Sequence, residues 1–312
     1  MDIRSASSND LESLLRCPIC KGSLIKHINT FHCKVCMEDY PIKNNIIYFS
    51  KSEIQQSSFF KKEWRQKLRD TKDYNLPNIN QKFDLSQIKR YTLPLNNKVL
   101  LDAGCGTGLS TLPLLSQGAQ ILFLDIIPES LDFIQMFIRN RKISGNFLLI
   151  VADLNNIPII TNSVDIVWSG GVLEHFKSIK RPYLEIYRVL KENGDLIFSI
   201  PNKFGLQRFL SSIKKSISKK YKNHYETGFI FYHLKNLFPA KYFSSYNIEV
   251  AGIGLEYYNL IMPFLKTKLP KIFFLFFKYS IYLFSSLFFT IKLAASWFLL
   301  YGKKKMLRDD NN

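Results

Sequence analysis

Cysteine is scarce in this chain of 312 residues: there are five, and four of them fall into two Cys-x-x-Cys pairs, Cys17/Cys20 and Cys33/Cys36. A disulfide framework is the weaker reading of so few, since no secretory leader is expected ahead of them. Acidic side chains are also short, 25 against 43 basic, for a formal net charge of +18. An excess of that size points to an anionic partner, either a membrane surface or RNA. The glycines at 104, 106 and 108 are one residue too closely spaced for the Gly-x-Gly-x-x-Gly of dinucleotide binding, and no Lys-Ser or Lys-Thr follows them as in a triphosphate loop. Long uncharged runs are missing too: the greasiest part of the chain reaches 13 residues without a charge, below the roughly 18 of a simple membrane span.

Five short apolar runs are present, at Val99–Leu101, Ile121–Leu124, Phe147–Val151, Val164–Trp168 and Asp195–Ile200. Runs of this kind suit strands of a parallel sheet buried on both faces. Helical stretches separate them, most clearly Lys180 to Leu190, and a further helix is expected to start near Leu109. The alternation predicts an α/β, doubly wound, mostly parallel sheet with ligands at the carboxyl ends of its strands. At those ends stand the glycine turn Gly104-Cys-Gly-Thr-Gly108, then Asp125 after the second run, then Asp153 after the third.

Taken together, Leu101-Asp-Ala-Gly-Cys-Gly-Thr-Gly108, Leu124-Asp125, Ala152-Asp153 with Ile157-Pro158, Asp165 to His175, and Glu185 to Gly194 resemble the class I S-adenosylmethionine-dependent methyltransferases, of the quinone and small-molecule group. The likeness covers roughly residues 80 to 202 and departs at Glu192-Asn193-Gly194, where the family often has Pro-Gly-Gly. It implies a seven-stranded sheet and S-adenosyl-L-methionine as cofactor. By the same resemblance Asp102 organises the glycine loop, Gly104, Cys105 and Gly106 make room for the methionine part, and Asp125 takes the ribose hydroxyls. Asp153 takes the adenine amine, with Ile126, Leu154 and Ser169 completing the pocket. Glu174 and His175 fall where a general base would face the acceptor. His175 reads either as that base or as a structural histidine, imidazole being the side chain best suited to proton transfer near neutral pH.

Twelve residues separate the two cysteine pairs. That spacing suits one tetrahedral zinc ion on Cys17, Cys20, Cys33 and Cys36, with His27 and His32 as bystanders. With Tyr40 to Phe49 the segment resembles the small zinc-ribbon protein that activates transfer-RNA and release-factor methyltransferases, and a similar ribbon precedes some ribosomal-RNA methyltransferases.

Residues 203 to 312 carry 18 basic and 5 acidic side chains. Lysine clusters at 266–271 and 303–305 bracket Ile272 to Gly302, an apolar aromatic stretch of 31 residues whose only charges are Lys278 and Lys292. The pattern suits a tail lying in, dipping into or spanning a membrane; a soluble cover over the catalytic domain is the alternative, against which the basic flanks argue. The expected domains are thus a zinc ribbon at 1–50, a linker helix at 51–79, a methyltransferase domain at 80–260 and a membrane-associating hydrophobic helical tail at 261–312. The implied function is methyl transfer to a lipid-linked or apolar small acceptor at the cytoplasmic face of a membrane. A ribosomal or transfer-RNA methyltransferase and a non-catalytic membrane-bound partner-binding protein are the alternatives.

Overall fold

The computed structural model describes residues 8–50, 79–202, 234, 238–251 and 297–306. Among them, eleven strands form one sheet in the order β1-β2-β3-β4-β7-β6-β5-β8-β9-β11-β10. The five apolar runs become β5 (Val99–Ala103), β6 (Gln120–Asp125), β7 (Phe147–Val151), β8 (Val164–Gly170) and β9 (Leu190–Pro201). All five are parallel, and β5 lies between β6 and β8, so the strand order reverses beside the glycine turn. The crevice at that reversal is where open α/β sheets hold ligands. The Glu192–Gly194 departure is accommodated inside β9, where the register with β8 shifts between Val164 and Ile166 and Asn193 adopts a φ of 57°.

Beyond β9 lie two antiparallel strands, β11 (Trp297–Lys304) and then β10 (Phe243–Ala251), completing a seven-stranded unit. This corrects the expected domain limits. The methyltransferase unit does not stop at 260, and Trp297–Lys304 is a strand between two others rather than part of a helical tail. Its apolar residues are explained by burial: Phe298, Leu299, Leu300 and Tyr301 all lie in the core. The lysine cluster at 303–305 changes meaning with it. Lys304 is buried, and its Nζ donates to the carbonyls of Tyr187 (2.9 Å) and Leu190 (2.7 Å) and to Asn162 Oδ1 (2.7 Å), while Lys303 pairs with Asp195 at 3.0 Å. The two carbonyls lie at the carboxyl end of the helix preceding β9, where a cation is favoured. Lys304→Met should therefore lower unfolding free energy by about 3 kcal/mol, because it strands buried acceptors. Urea unfolding would measure it.

The ribbon strands are β1 (Ile25–Lys26), β2 (Thr30–Cys33), β3 (Glu38–Lys43) and β4 (Ile46–Tyr48), preceded by a short helix, α1 (Ser8–Glu12). They are not a separate body. β4 pairs in parallel with β7, Ile47 opposite Ile150, so the ribbon extends the main sheet past what would be its edge. The β7–β8 crossover contributes only a single 3-10 turn, Leu154–Asn156, and so supplies no helix of its own to cover the sheet. Leu11, Leu15, Phe31, Tyr40 and Phe49 lie in one continuous core with Leu122, Ile150 and Val167.

Helix α2 (Ile79–Thr92) packs over the opposite face, its Tyr91 stacked on Tyr301 at 4.2 Å. Helices α3 (Pro128–Arg141) and α4 (Lys180–Val189) complete the layers, the latter matching its predicted span to one residue. The helix expected from Leu109 is instead a 3-10 segment, Leu112–Gln117. Pro113 in its first turn has no N–H to donate, and Gly118 ends it in the left-handed region at φ 82°. Residues 51–78 and 252–296, with the linker helix and most of the predicted tail, lie outside the described residues. Among the described residues no helix is long and apolar enough to cross a membrane.

Candidate functional site

The carboxyl ends of β5, β6, β7 and β8 bring the predicted residues to one edge. The glycine turn leaves β5 with φ of +78° at Gly104 and +65° at Gly108, a region that L side chains rarely adopt. A Cβ on Gly104 would lie 2.5 Å from the Val172 side chain, so glycine is required there by space as well as by conformation. The amides of Gly104 and Cys105 both donate to the Leu124 carbonyl, which ties the turn to the end of β6.

Asp102 sits beneath this turn and is buried. It accepts a hydrogen bond from Thr111 Oγ1, and the same hydroxyl reaches the Gly108 carbonyl at 3.2 Å. Asp102 is thereby tied through Thr111 to the end of the glycine turn. Asp125 accepts from the Gly106 amide through Oδ2 (2.9 Å) and from the Ile127 amide through Oδ1 (2.9 Å). The Ile126 amide and the Ser130 hydroxyl also approach this carboxylate and favour its charged form. Asp153 caps the 3-10 turn after β7: its Oδ1 accepts from the Asn155 amide (2.9 Å) and from Asn155 Nδ2 (3.0 Å). Its Oδ2 takes part in neither bond, and Asp153 lines a cleft of about 460 Å³.

Other predicted residues take supporting places. Ser169 is buried and its hydroxyl donates to the Ala103 carbonyl at 2.8 Å, which locks β8 to β5. That bond corrects the expected direct contact, because the hydroxyl is already committed inside the sheet. Cys105 and Leu154 are buried in the core, while Ile126 is half-buried beside Asp125. Glu174 and His175 stand in a 3-10 turn, Leu173–His175, after β8, with Glu174 buried and His175 half-buried. A Cβ on Gly171 would lie 3.6 Å from Glu174 Oε1 and 3.8 Å from the Trp297 ring. Trp297 thus borders the same rim as the candidate base.

Two contributors have no signal in the sequence. Gln81 Nε2 donates to Thr107 Oγ1 (2.9 Å), and Ser110 Oγ donates to Asp84 Oδ2 (3.1 Å), so α2 closes over the glycine turn. Asp84, Asp102 and Asp125 then gather three carboxyl groups at one place, and none has an ion-pair partner among the described residues. Burial pushes Asp84 and Asp102 each up to about 7, with the neighbouring carboxylates adding to the rise at Asp102, and burial raises Asp125 as well. An environment of this kind favours a cationic ligand.

The sign of the resulting pH effect follows from the raised values. Between about pH 4, where an unfolded aspartate titrates, and about pH 7, the folded chain holds more protons than the unfolded one. Stability of the ligand-free protein should therefore fall as pH rises through that window. The urea midpoint is expected to be higher at pH 5 than at pH 7, and the difference should shrink in Asp84→Asn.

The four ribbon cysteines converge as predicted. Their Sγ atoms all lie within 4.8 Å of one another, with Cys17 and Cys33 buried beneath and Cys20 exposed. Four thiolates about 2.3 Å from a central tetrahedral ion stand roughly 3.8 Å apart, so the cluster fits one such ion. Tyr40 Oη lies 3.2 Å from Cys17 Sγ and supplies an outer hydrogen bond. His32 is held by Asp39 at 2.8 Å, a place consistent with a bystander.

Comparison with known proteins agrees with this geometry. Residues 101–198 match the family described as a methyltransferase domain. Malonyl-[acyl-carrier protein] O-methyltransferase of Serratia marcescens is 32% identical over 100 residues, 32% of this chain and 37% of that protein. The ubiquinone biosynthesis O-methyltransferase of Rickettsia typhi is 24% identical over 131 residues, 42% of this chain and 52% of that protein. The chain thus spans between about a third and about half of these curated relatives. The solved structure of Haemonchus contortus phosphoethanolamine N-methyltransferase 2, in complex with phosphomonomethylethanolamine and S-adenosylhomocysteine, superposes with a TM-score of 0.53 at 19% identity, over 82% of this chain and 59% of that one. Residues 101–198 therefore carry a methyltransferase domain, set in a sheet with the α/β class I methyltransferase fold.

Proposed function

We propose that this protein transfers the methyl group of S-adenosyl-L-methionine to an apolar or lipid-linked small acceptor at the cytoplasmic face of a membrane. One observation carries the choice of acceptor. Ala251 pairs with Trp297, and Trp297 pairs with Pro201, the last residue of β9. The chain between them, 252–296, therefore leaves and returns at the carboxyl edge of the sheet, beside Gly171 and Glu174. Its sequence contains Lys266, Lys268 and Lys271 followed by the apolar Ile272 to Ser296. Anionic lipid attracts lysines near its surface by about 1 kcal/mol each. What reads as a terminal tail is in this account an insert at the mouth of the site.

The cofactor supplies an activated methyl on a cationic sulfur. The chain's own residues do the rest: Asp125 holds the ribose, Asp153 the adenine amine, and the Asp84–Asp102–Asp125 cluster favours the cationic ligand. Near Trp297, water is excluded and the acceptor is aligned with the methyl carbon, which is the larger share of the work in such a transfer. For an oxygen acceptor His175 takes the proton, a contribution of roughly 100-fold to 10,000-fold. One zinc ion on Cys17, Cys20, Cys33 and Cys36 holds the ribbon's fold and takes no part in the transfer step.

Incubation with methyl-labelled cofactor and a cell extract, followed by separation of lipid, RNA and protein, should place the label in lipid. Label in RNA would overturn the acceptor class. Excision is the companion test: because Ala251 and Trp297 are cross-strand neighbours, a short hairpin turn can replace 252–296. The shortened chain should fold with an unchanged melting temperature and lose its membrane fraction, and retention of that fraction would contradict the insert's role.

A further inference from the structure

The cleft that Asp153 lines has a second wall, and that wall is the ribbon. Pro18 and Ile19, the two residues between the metal-site cysteines Cys17 and Cys20, face it together with Tyr40 and Phe49. Its volume of about 460 Å³ falls in the roughly 300–1,000 Å³ of small-molecule sites. We propose that the first cysteine knuckle forms part of the nucleoside end of the cofactor site, so that cofactor affinity depends on the metal that shapes the knuckle. The inference rests on the proposed cofactor and goes beyond it, since it gives the ribbon a share in binding.

Three observations converge on this. Ile19 is 67% exposed although it is apolar, and it is held outward on a loop anchored at both ends by metal-site cysteines. A flat apolar ring bearing an amine matches the lining, which offers apolar contact from Ile19 and Phe49 together with the Asp153 carboxylate. The metal site and Asp153 are also joined by direct contacts. Cys17 Sγ touches Tyr40 Oη at 3.2 Å, the Tyr40 and Phe49 rings lie 4.9 Å apart, and the Phe49 amide donates to the Val151 carbonyl at 2.8 Å, two residues before Asp153. From the far end of the knuckle, Lys21 Nζ donates to the Ile157 carbonyl (3.2 Å) and pairs with Glu185 (2.7 Å). Arg181 in turn donates to the Asn155 carbonyl at 3.0 Å and Asn156 Oδ1 at 2.6 Å, fixing the turn that Asp153 caps. Loss of the metal would release Pro18 and Ile19 while most of this frame stays in place.

The test is calorimetric titration of the full chain with S-adenosylhomocysteine and with 5′-methylthioadenosine, which lacks the amino-acid part. Ile19→Asp should weaken both ligands about fivefold or more at an unchanged melting temperature. Ile28→Ala, at a ribbon residue 93% exposed and absent from the cleft lining, should change neither. Chelated protein should bind both ligands more weakly, with affinity restored by added zinc. Wild-type affinity in a folded Ile19→Asp variant overturns the proposal, and this decides the matter even where chelation unfolds the chain. Failure of the wild-type protein to bind S-adenosylhomocysteine would instead overturn the cofactor assignment, a separate outcome.

Discussion

Asp125→Ala is expected to weaken binding of S-adenosylhomocysteine by about a hundredfold or more. In the proposed site this carboxylate accepts the ribose hydroxyls, and hydrogen bonds to a charged group contribute roughly 1.5–3 kcal/mol each. The same substitution frees the Gly106 amide, now held at 2.9 Å, and with it the middle of the glycine turn. Loop and ligand contact therefore fail together. Asp125→Asn separates the two effects: its side-chain oxygen can still accept from one amide, so the turn is largely retained while the anionic acceptor is lost. Calorimetry on both variants should show the alanine change to be the more damaging, and wild-type affinity in either would remove Asp125 from the site.

Stripping the ribbon of metal should destabilise the whole chain and not the ribbon alone. A free-standing ribbon would unfold by itself and leave the catalytic sheet intact. Here Leu11, Leu15, Phe31, Tyr40 and Phe49 share one core cluster with Leu122, Ile150 and Val167 of that sheet, and β4 is hydrogen-bonded to β7. Apparent zinc-binding energies reach about 10–16 kcal/mol in small metal-dependent folds. Even a third of that, lost from a chain of this size, corresponds to a fall of roughly 5–8 °C in melting temperature. One cooperative transition at the lower temperature is expected for the chelated protein and for Cys17→Ser with Cys33→Ser. Two transitions, the upper one unmoved, would show the ribbon to be independent.

Much of the central sheet is legible in the sequence because parallel strands buried on both faces leave unbroken apolar runs, and β5 to β9 all do so. The residues at their carboxyl ends follow from that reading, which is why Asp102, Asp125 and Asp153 come together at one edge. The last strand is hidden by the same rule. Phe298 to Tyr301 continue an already apolar segment, so nothing local distinguishes a buried strand from a membrane-seeking tail, and only the pairing with β9 and β10 separates them. Lys304 misleads in a similar way, since a lysine whose charge is met by carbonyls far along the chain reads as a surface cation. The ribbon's union with the sheet is equally nonlocal: Ile47 and Ile150 are more than a hundred residues apart in the sequence. Asp84 lies on a polar helix with no motif, and its place over the glycine turn is set by packing alone.

Equilibrium dialysis of the intact protein against methyl-labelled S-adenosyl-L-methionine tests the central claim most directly. The account predicts saturable binding of one cofactor per chain, displaced by S-adenosylhomocysteine. Absence of saturable binding by folded protein would contradict it.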